Sequence, residues 1–355
     1  MITVALTYRN RDLQIVENCL DSFQNQTNTK FIVVLVDYGS VETCKNKLSI
    51  LVSKYSFVKL IQCKTQQQLW CKSRAINIVL KPCETVSFFV GDIDMIYHPN
   101  FIKTLFNLQS KKDFSYFQVG FLSEAESKTK QAFNNYKISF KSTEEATGMT
   151  LYNTNVLKSI NGYDEFYHGW GTEDTDVHVR LKQAGFNMSF YTDKVLMLHQ
   201  WHPKNYRKKN DITPFHTTLE QINHEYLKLK QQTKSIKENL NFSWGNYNDA
   251  DYDDLNKIDF SFKLTNKESE IKAFINNVLL AKSNKIIQVN ISEHEAYKSL
   301  KQAIKSLVGK KTIQFLEMQR INNMLLEAII SNLRDKPYNF QYHIKNQTIS
   351  LTIKL

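Results

Sequence analysis

No stretch of this 355-residue chain approaches the roughly 20 consecutive apolar residues of a membrane-spanning helix, so no transmembrane segment is expected. The amino terminus is apolar only from Met1 to Leu6 and then meets Arg9 and Arg11. It reads as a strand rather than a secretory signal. Cysteine is scarce: Cys19, Cys44, Cys63, Cys71 and Cys83 form an odd set without a CxxC pair. Such a set fits reduced thiols better than a disulfide framework, and a cytoplasmic protein, at most peripheral at the inner face of a membrane, is the expectation. Arginine is scarce as well. Seven of the 46 basic residues are arginine, and the lysines that make up the rest are scattered along the chain. The net charge of +11 therefore describes a lysine-enriched surface, and no nucleic-acid partner is expected. Neither an internal repeat nor a low-complexity segment is visible.

What is present is a real core: 42% of residues are apolar and 12% aromatic, enough for one large domain or two. Short apolar runs at 2–7, 31–36, 58–62 and 86–90 alternate with helical patterns at 13–23, 42–54 and 70–80. This alternation predicts parallel βαβ units in an open sheet covered on both faces. Ligands of such sheets sit outside the carboxyl ends of the strands. Beyond residue 100 the pattern is mixed, with strands expected at 114–121 and 149–152 around a polar stretch at 123–147, and a basic helix at 215–238. The expected organisation is a first domain over 1–240, divided into a first half (1–100), a second half (101–215) and a trailing helix (215–240). A linker over 241–259 and an accessory α/β domain over 260–355 follow. In the latter we expect a strand near 260, helices at 267–282, 293–307 and 319–334, strands at 285–291 and 311–316, and two closing strands.

Three clusters carry chemistry. Gly91-Asp92-Ile93-Asp94 follows the most apolar strand directly. Two carboxylates at a strand exit can face one divalent cation, because hard ions favour oxygen ligands and leave positions open for phosphate; the competing reading is a solvated turn. The second cluster, Gly162 to Phe166 running into Gly169-Trp170-Gly171-Thr172-Glu173-Asp174-Thr175-Asp176, combines glycines, a tryptophan and consecutive acids. Helix capping by Thr172 and a favourable dipole for Glu173 and Asp174 account for part of it. A tryptophan between two glycines suits a loop offering a flat apolar face to a sugar. Third, Leu198-His199-Gln200-Trp201-His202-Pro203 follows an apolar run, and either histidine could complete a metal site begun by the carboxylates. His199 is preferred because it ends the strand.

Taken in order, TYRNR (7–11), VDYGS (36–40), KSRAIN (72–77), DID (92–94), GWGTEDTD (169–176) and LHQWHP (198–203) resemble the family 2 inverting glycosyltransferases. The likeness is to those with a galactosyltransferase-type carboxyl half, as in β-1,4-galactosyltransferases and bacterial chondroitin-polymerase-like enzymes, and it covers residues 1 to about 205. The resemblance implies a GT-A fold: an α/β, Rossmann-like mixed sheet with helices on both faces. It implies that Thr7, Tyr8, Arg9 and Arg11 line the uridine and diphosphate pocket, that Asp37 bonds uracil, and that Arg74 lies near the nucleotide. Asp92 would face the ribose or the ion, Asp94 would ligate Mn²⁺ or Mg²⁺, and His199 would complete the protein ligands. Trp170 would cover the sugars, Glu173 and Asp176 would contact the acceptor, and Asp174 would be the general base. The second acid of the family's DDGS is Tyr38 here, leaving Asp37 alone to read the base.

The expected reaction is inverting transfer of a hexose or N-acetylhexosamine from a UDP-sugar to an oligosaccharide or glycolipid acceptor, in bacterial surface polysaccharide or lipooligosaccharide synthesis. The carboxyl-terminal domain shows no catalytic motif, and Lys298, Lys301, Lys305, Lys310 and Lys311 read as a solvated helix face, with an anionic glycan, a membrane surface or a synthase partner as the alternatives. Two other readings compete. A sugar nucleotidyltransferase would bring a glycine-rich phosphate loop near the first strand, and TYRNR has none. A catalytically inactive glycan-binding or scaffold protein would be free to lose the carboxylates that this chain retains.

Overall fold

The computed structural model describes residues 1–109, 112–203, 214–281 and 283–355, and the chain divides into two compact units. Of the described residues, the first unit holds 1–63, 70–203 and 220–247, and the second holds 64–69, 214–219 and 248–355.

The first unit begins with the expected alternation: β1 (Ile2–Tyr8), α1 (Leu13–Gln24), β2 (Phe31–Tyr38), α2 (Glu42–Val52), β3 (Val58–Cys63), α3 (Lys72–Leu80) and β4 (Ser87–Asp92). It continues through β5 (Met95–Tyr97), α4 (Phe101–Leu108), β6 (Phe114–Phe117), β7 (Gly120–Leu122), α5 (Glu124–Ser127), β8 (Ile138–Lys141) and β9 (Thr150–Asn153). α6 (Thr154–Ser159), α7 (Glu173–Gln183), β10 (Met188–Tyr191), β11 (Met197–His199) and α8 (Leu219–Thr233) complete it. Seven strands form one sheet in the order β10-β6-β9-β4-β1-β2-β3. β4, β1, β2 and β3 are parallel, but β9 runs antiparallel between β4 and β6, so the sheet is mixed. The segment 114–121, expected as one strand, is two. β6 belongs to the large sheet, whereas β7 joins a four-stranded sheet of order β5-β11-β7-β8.

Strand alternation decides which residues meet which helices. Ile2, Val4, Leu6 and Tyr8 of β1 pack with Val16, Leu20 and Phe23 of α1. Ala5 of β1 and Val36 of β2 pack on the other face with Ala75, Ile76 and Val79 of α3 and Val177 and Leu181 of α7. Each of the Val, Leu, Ile and Phe side chains among them contributes about 1.5–3 kcal/mol on burial. Helix α3 is buried at every position except its first, Lys72, and that first residue stands where the parallel strands end.

In the second unit, α9 (Asp249–Asp253) starts at Asn248, whose side chain accepts from the Ala250 N–H, within the stretch expected as a linker. Then follow β12 (Phe260–Thr265), α10 (Glu268–Phe274), β13 (Ile286–Ser292), α11 (Leu300–Leu307), α12 (Met318–Asn332), β14 (Tyr338–His343) and β15 (Thr348–Lys354). The sheet order is β12-β13-β15-β14. The helix expected over 293–307 starts only at Leu300. The strand expected over 311–316 is reduced to one bridge, Phe315 to Lys267, because the chain leaves α11 through the left-handed Gly309 (φ 68°) and meets a residue just past the end of β12.

Candidate active site

Parallel register aligns the ends of three strands, β4, β1 and β2, at the carboxyl edge of the large sheet. Thr7 stands opposite Asp92, and Tyr8 opposite Asp37. Beyond β1 the chain turns at Asn10, in the left-handed region (φ 51°). The Asn10 side chain accepts from the Val41 N–H at 2.9 Å and its own N–H donates to Ser40 Oγ at 2.9 Å. This strap fixes the loop that carries Arg9 and Arg11. Tyr8 points into the core, 1% exposed, and its hydroxyl donates to the Arg11 carbonyl at 2.9 Å; it braces that loop rather than lining an open pocket. Asp37 is buried, accepts from the Ser40 N–H at 3.0 Å through Oδ1, and leaves Oδ2 without a hydrogen bond. Burial raises its pKa, while the Ser40 hydrogen bonds and the charges of Lys45 and Arg9 oppose the rise. Tyr38, in place of a second acid, is a core residue, edge-on to Trp70.

The first cluster centres on Asp94. β11 pairs with β5 so that His199 lies opposite Met95, which brings the Leu198 to Pro203 segment beside the Asp94 turn. Gln200, 1% exposed, locks the two together. Its N–H donates to the Asp94 carbonyl at 2.9 Å, and its side chain bonds the Ile15 carbonyl and Asn18 of α1. His202 Nε2 is 3.0 Å from Asp94 Oδ2, His199 Nε2 is 3.8 Å from Oδ1, and Arg11 Nη2 is 3.3 Å from Oδ2. Burial works against the charged carboxylate, but His202, His199 and Arg11 outweigh it and hold Asp94 down to about 2. Burial also lowers the pKa of His199, against the pull of Asp94, and its ring stacks on Phe121 at 4.8 Å. A neutral imidazole and an ionised carboxylate are the forms a metal needs. One ligand atom each from Asp94, His199 and His202 lies within 4.8 Å of the others, and Asp94 Oδ1 is buried without a hydrogen-bond partner. This donor set fits a divalent cation. His202, not chosen from the sequence, belongs to it as much as His199; Asp92 lies in the other cluster.

That second cluster surrounds Lys72, the first residue of α3. Its Nζ is 3.0 Å from Asp174 Oδ2, 3.2 Å from Asp92 Oδ1 and 3.7 Å from Glu173 Oε1. Burial alone would favour the neutral amine, but the three carboxylates outweigh it and raise the pKa. One cation cannot neutralise three acids, and the excess falls on Asp174. Burial pushes its pKa up to about 7, with Lys72 opposing and Glu173 and Asp92 adding to the rise. Asp174 Oδ1 is buried and accepts no hydrogen bond. Gly148 lies against this carboxylate: a Cβ there would stand 3.3 Å from Asp174 Oδ2. The KSRAIN motif points to Arg74 by resemblance, whereas the structure brings Lys72 of the same motif to the carboxylates. Arg74 is buried and its Nη2 donates to the Asn246 carbonyl at 3.1 Å.

The loop before α7 is held open by backbone that favours glycine: Gly169 and Gly171 have φ of 75° and 106°. Trp170 between them is 47% exposed, and Asn223 of α8 ties the loop by donating to the His168 and Trp170 carbonyls. Thr172 does not cap α7 through its side chain. It is itself left-handed (φ 71°), and its hydroxyl donates to the Asn223 carbonyl. Asp176 is not brought to the site either. Both its oxygens are engaged in a buried network, with Arg180 Nε at 2.7 Å, Lys230 Nζ at 2.7 Å and the Tyr167 hydroxyl at 3.3 Å. Asp164 joins the same network through Lys230 at 2.9 Å.

With this geometry in view, known proteins supply a frame. Residues 3–161 match the model of glycosyl transferase family 2, and residues 127–202 match the N-terminal domain of galactosyltransferase. No curated protein sequence matches the chain. Among solved structures, S. aureus TarS shows 18% identity and a TM-score of 0.43 over 58% of this chain and 38% of its own. The chain thus spans well under half of that protein. A TarS 1-349 structure in complex with UDP-GlcNAc shows 15% identity and a TM-score of 0.46 over 67% of each chain. GalNAc-T7, solved with UDP, GalNAc and Mn²⁺, shows 14% identity and a TM-score of 0.47 over 65% of this chain and 48% of its own. Together the two family matches span residues 3–202, which hold most of the mixed sheet and both clusters, so this stretch is a glycosyltransferase domain on a mixed sheet consistent with the GT-A fold, similar to family 2 in its first part and to the N-terminal domain of galactosyltransferase in its second.

Proposed function

We propose that the first unit transfers a hexose or N-acetylhexosamine from a UDP-sugar to a hydroxyl of an oligosaccharide or glycolipid acceptor, with inversion at the anomeric carbon. The observation that carries this reading is Asp174: a carboxylate pushed up to about 7, with one oxygen unbonded, beside the acidic end of β4. A base poised near neutrality is what deprotonation of a sugar hydroxyl requires. The acceptor O–H gives its proton to Asp174 Oδ1 as its oxygen bonds the anomeric carbon. The bond to the diphosphate breaks on the opposite face and UDP leaves. Lys72 keeps Asp174 and Asp92 in place, and Glu173 and Trp170 face the acceptor.

On the donor side, the unbonded Asp37 Oδ2 is an acceptor suited to the uracil N–H. Arg9, Arg11 and Thr7 line the diphosphate path, and Asp92 faces the ribose. Asp94, His199 and His202 would hold the metal, Mn²⁺ being favoured by the imidazoles. When bound it supplies Lewis-acid neutralisation of the leaving diphosphate. Five free thiols agree with a cytoplasmic enzyme, and a bacterial surface polysaccharide or lipooligosaccharide is the acceptor class proposed. No helix among the described residues is long and apolar enough to cross a membrane.

The test is release of free UDP from a panel of UDP-sugars with Mn²⁺, repeated with chelator and with Asp174→Asn. One donor should turn over, require metal, and slow at least about a hundredfold in the variant. Absence of turnover with every donor, or full activity of Asp174→Asn, would sink the reading.

A further inference from the structure

Helix α11 and the turn after it have an unusual surface. Leu300, Ile304, Leu307 and Val308 recur at helical spacing, and they are 82%, 59%, 86% and 61% exposed. Ile313 beyond the turn is exposed as well. Monomeric proteins scatter exposed apolar residues singly, so a continuous apolar strip of this kind marks an interaction face. The charge around it is one-sided. Between residues 298 and 316 the sequence has five lysines, Lys298, Lys301, Lys305, Lys310 and Lys311, and no acid. Among the described residues none of the five pairs with a carboxylate. On a helical wheel Lys301 and Lys305 border the apolar arc on one side, and Lys310 and Lys311 follow Gly309 directly.

An apolar strip bordered by lysine stems whose charges can reach outward is the pattern of a helix lying in a membrane interface. A protein partner would need matching acidic and apolar groups in register. An anionic bilayer supplies both to any such helix, with the phosphates at the level of the ammonium groups and the acyl chains below. We infer that α11 with residues 308–313 is an interfacial membrane anchor, seating Leu300, Ile304, Leu307 and Val308 among acyl chains and the five lysines among anionic headgroups. Eight helical residues and a handful of apolar side chains give reversible attachment, and the lysines make it selective for anionic lipid. This inference rests on the second unit alone and does not depend on the donor or the acceptor.

The experiment is co-sedimentation of the full chain with vesicles of phosphatidylcholine alone and of phosphatidylcholine containing about one third phosphatidylglycerol. We expect binding to the anionic vesicles only, weakened by high salt. Lys301→Ser and Lys305→Ser should each reduce partitioning by about fivefold. Leu300→Ser with Leu307→Ser should abolish it, while the far-ultraviolet circular dichroism and UDP release with a soluble acceptor stay unchanged; both leucines are too exposed for folding to depend on them. Equal binding to neutral and anionic vesicles, no binding to either, or binding indifferent to these substitutions would overturn the inference. So would a concentration-dependent dimer in sedimentation that Leu300→Ser dissolves, since the face would then belong to a second copy of the chain.

Discussion

Replacing Lys72 by methionine removes one charge and keeps the volume, which makes it the sharpest test of how the site is tuned. The ammonium lies 3.0 Å from Asp174. At that distance a unit charge is worth about 5.5 kcal/mol at an effective dielectric of about 20 and about 1.4 kcal/mol in bulk water. At 1.36 kcal/mol per pH unit, its loss raises the Asp174 pKa by about one to four units. The sign is fixed by the chemistry: Asp174 acts as a base only when deprotonated, so kcat/KM of the wild type rises with pH through about 7. In Lys72→Met the inflection moves to about 8 or above. At pH 7 the ionised fraction falls from about one half to less than about one tenth, a loss of at least about fivefold that raising the pH to about 9 substantially recovers where the shift is near its lower bound. Lys72→Arg, which keeps the charge, should leave the inflection near 7. The assay is kcat/KM for UDP release between about pH 5.5 and 9, with thermal melting to confirm that each variant folds. An inflection unmoved in Lys72→Met would refute the reasoning, because a merely structural lysine lowers activity at every pH alike.

Further consequences follow from the same geometry. Asp174→Asn should lower kcat at least about a hundredfold while calorimetric affinity for UDP stays within about twofold of wild type, since the base acts on the acceptor hydroxyl and not on the nucleotide. His202→Ala and Asp94→Asn should each weaken Mn²⁺ binding at least about tenfold, read from the free-ion signal in electron paramagnetic resonance. Unchanged affinity in both would remove the three-residue metal site. Arg180→Met should cost about 1–3 kcal/mol of stability, because Asp176 keeps only Lys230 of its two cations and the Ile160 and Gly162 carbonyls lose their Arg180 donor, seen in denaturant unfolding. Gly91→Ala would drive a Cβ into the Tyr97 hydroxyl and the Phe89 ring. About 1–3 kcal/mol of overpacking strain is expected, with donor KM raised because the Asp92 turn must shift.

Much of this was legible in the sequence, for identifiable reasons. β1, β2 and β4 are uninterrupted apolar runs flanked by helical periodicity, so their existence, order and carboxyl ends could be read directly, and with them the positions of Asp37, Asp92 and Asp94. The antiparallel insertion of β9 could not be. A four-residue strand, Thr150–Asn153, has the same local signature in either direction, and only its neighbours β4 and β6 decide. Lys72 was hidden differently. A lysine at a helix start looks like a solvated residue, and nothing within five positions of it announces the three carboxylates from β4 and α7 that surround it. A weak signal did exist, because KSRAIN follows directly on Trp70-Cys71 and opens a helix that runs on through Ala75, Ile76, Ile78, Val79 and Leu80 into the core, so its first residue emerges at the strand ends. His202 lost to His199 on the argument that a ligand should end its strand, although the next loop residues reach equally far once Gln200 pins the turn.

The two acidic pairs of identical spacing show why a motif alone assigns no role. In Asp92-Ile93-Asp94 the chain leaves a strand into a turn. The turn rotates the second carboxylate away from the first, so Asp92 meets Lys72 while Asp94 meets His199, His202 and Arg11. In Asp174-Thr175-Asp176 the spacing falls on the first turn of a helix, where two residues subtend about 200°, and the side chains point to opposite sides. One side is the cleft, where Asp174 is partly desolvated, shares a single cation with two other acids and rises to about 7. The other is the core, where Asp176 is fully paired with Arg180 and Lys230. A carboxylate that already owns two cations has no reason to take a proton from a substrate; one that competes for a cation does. The cation count around each acid, more than its place in GTEDTD, separates the base from the brace.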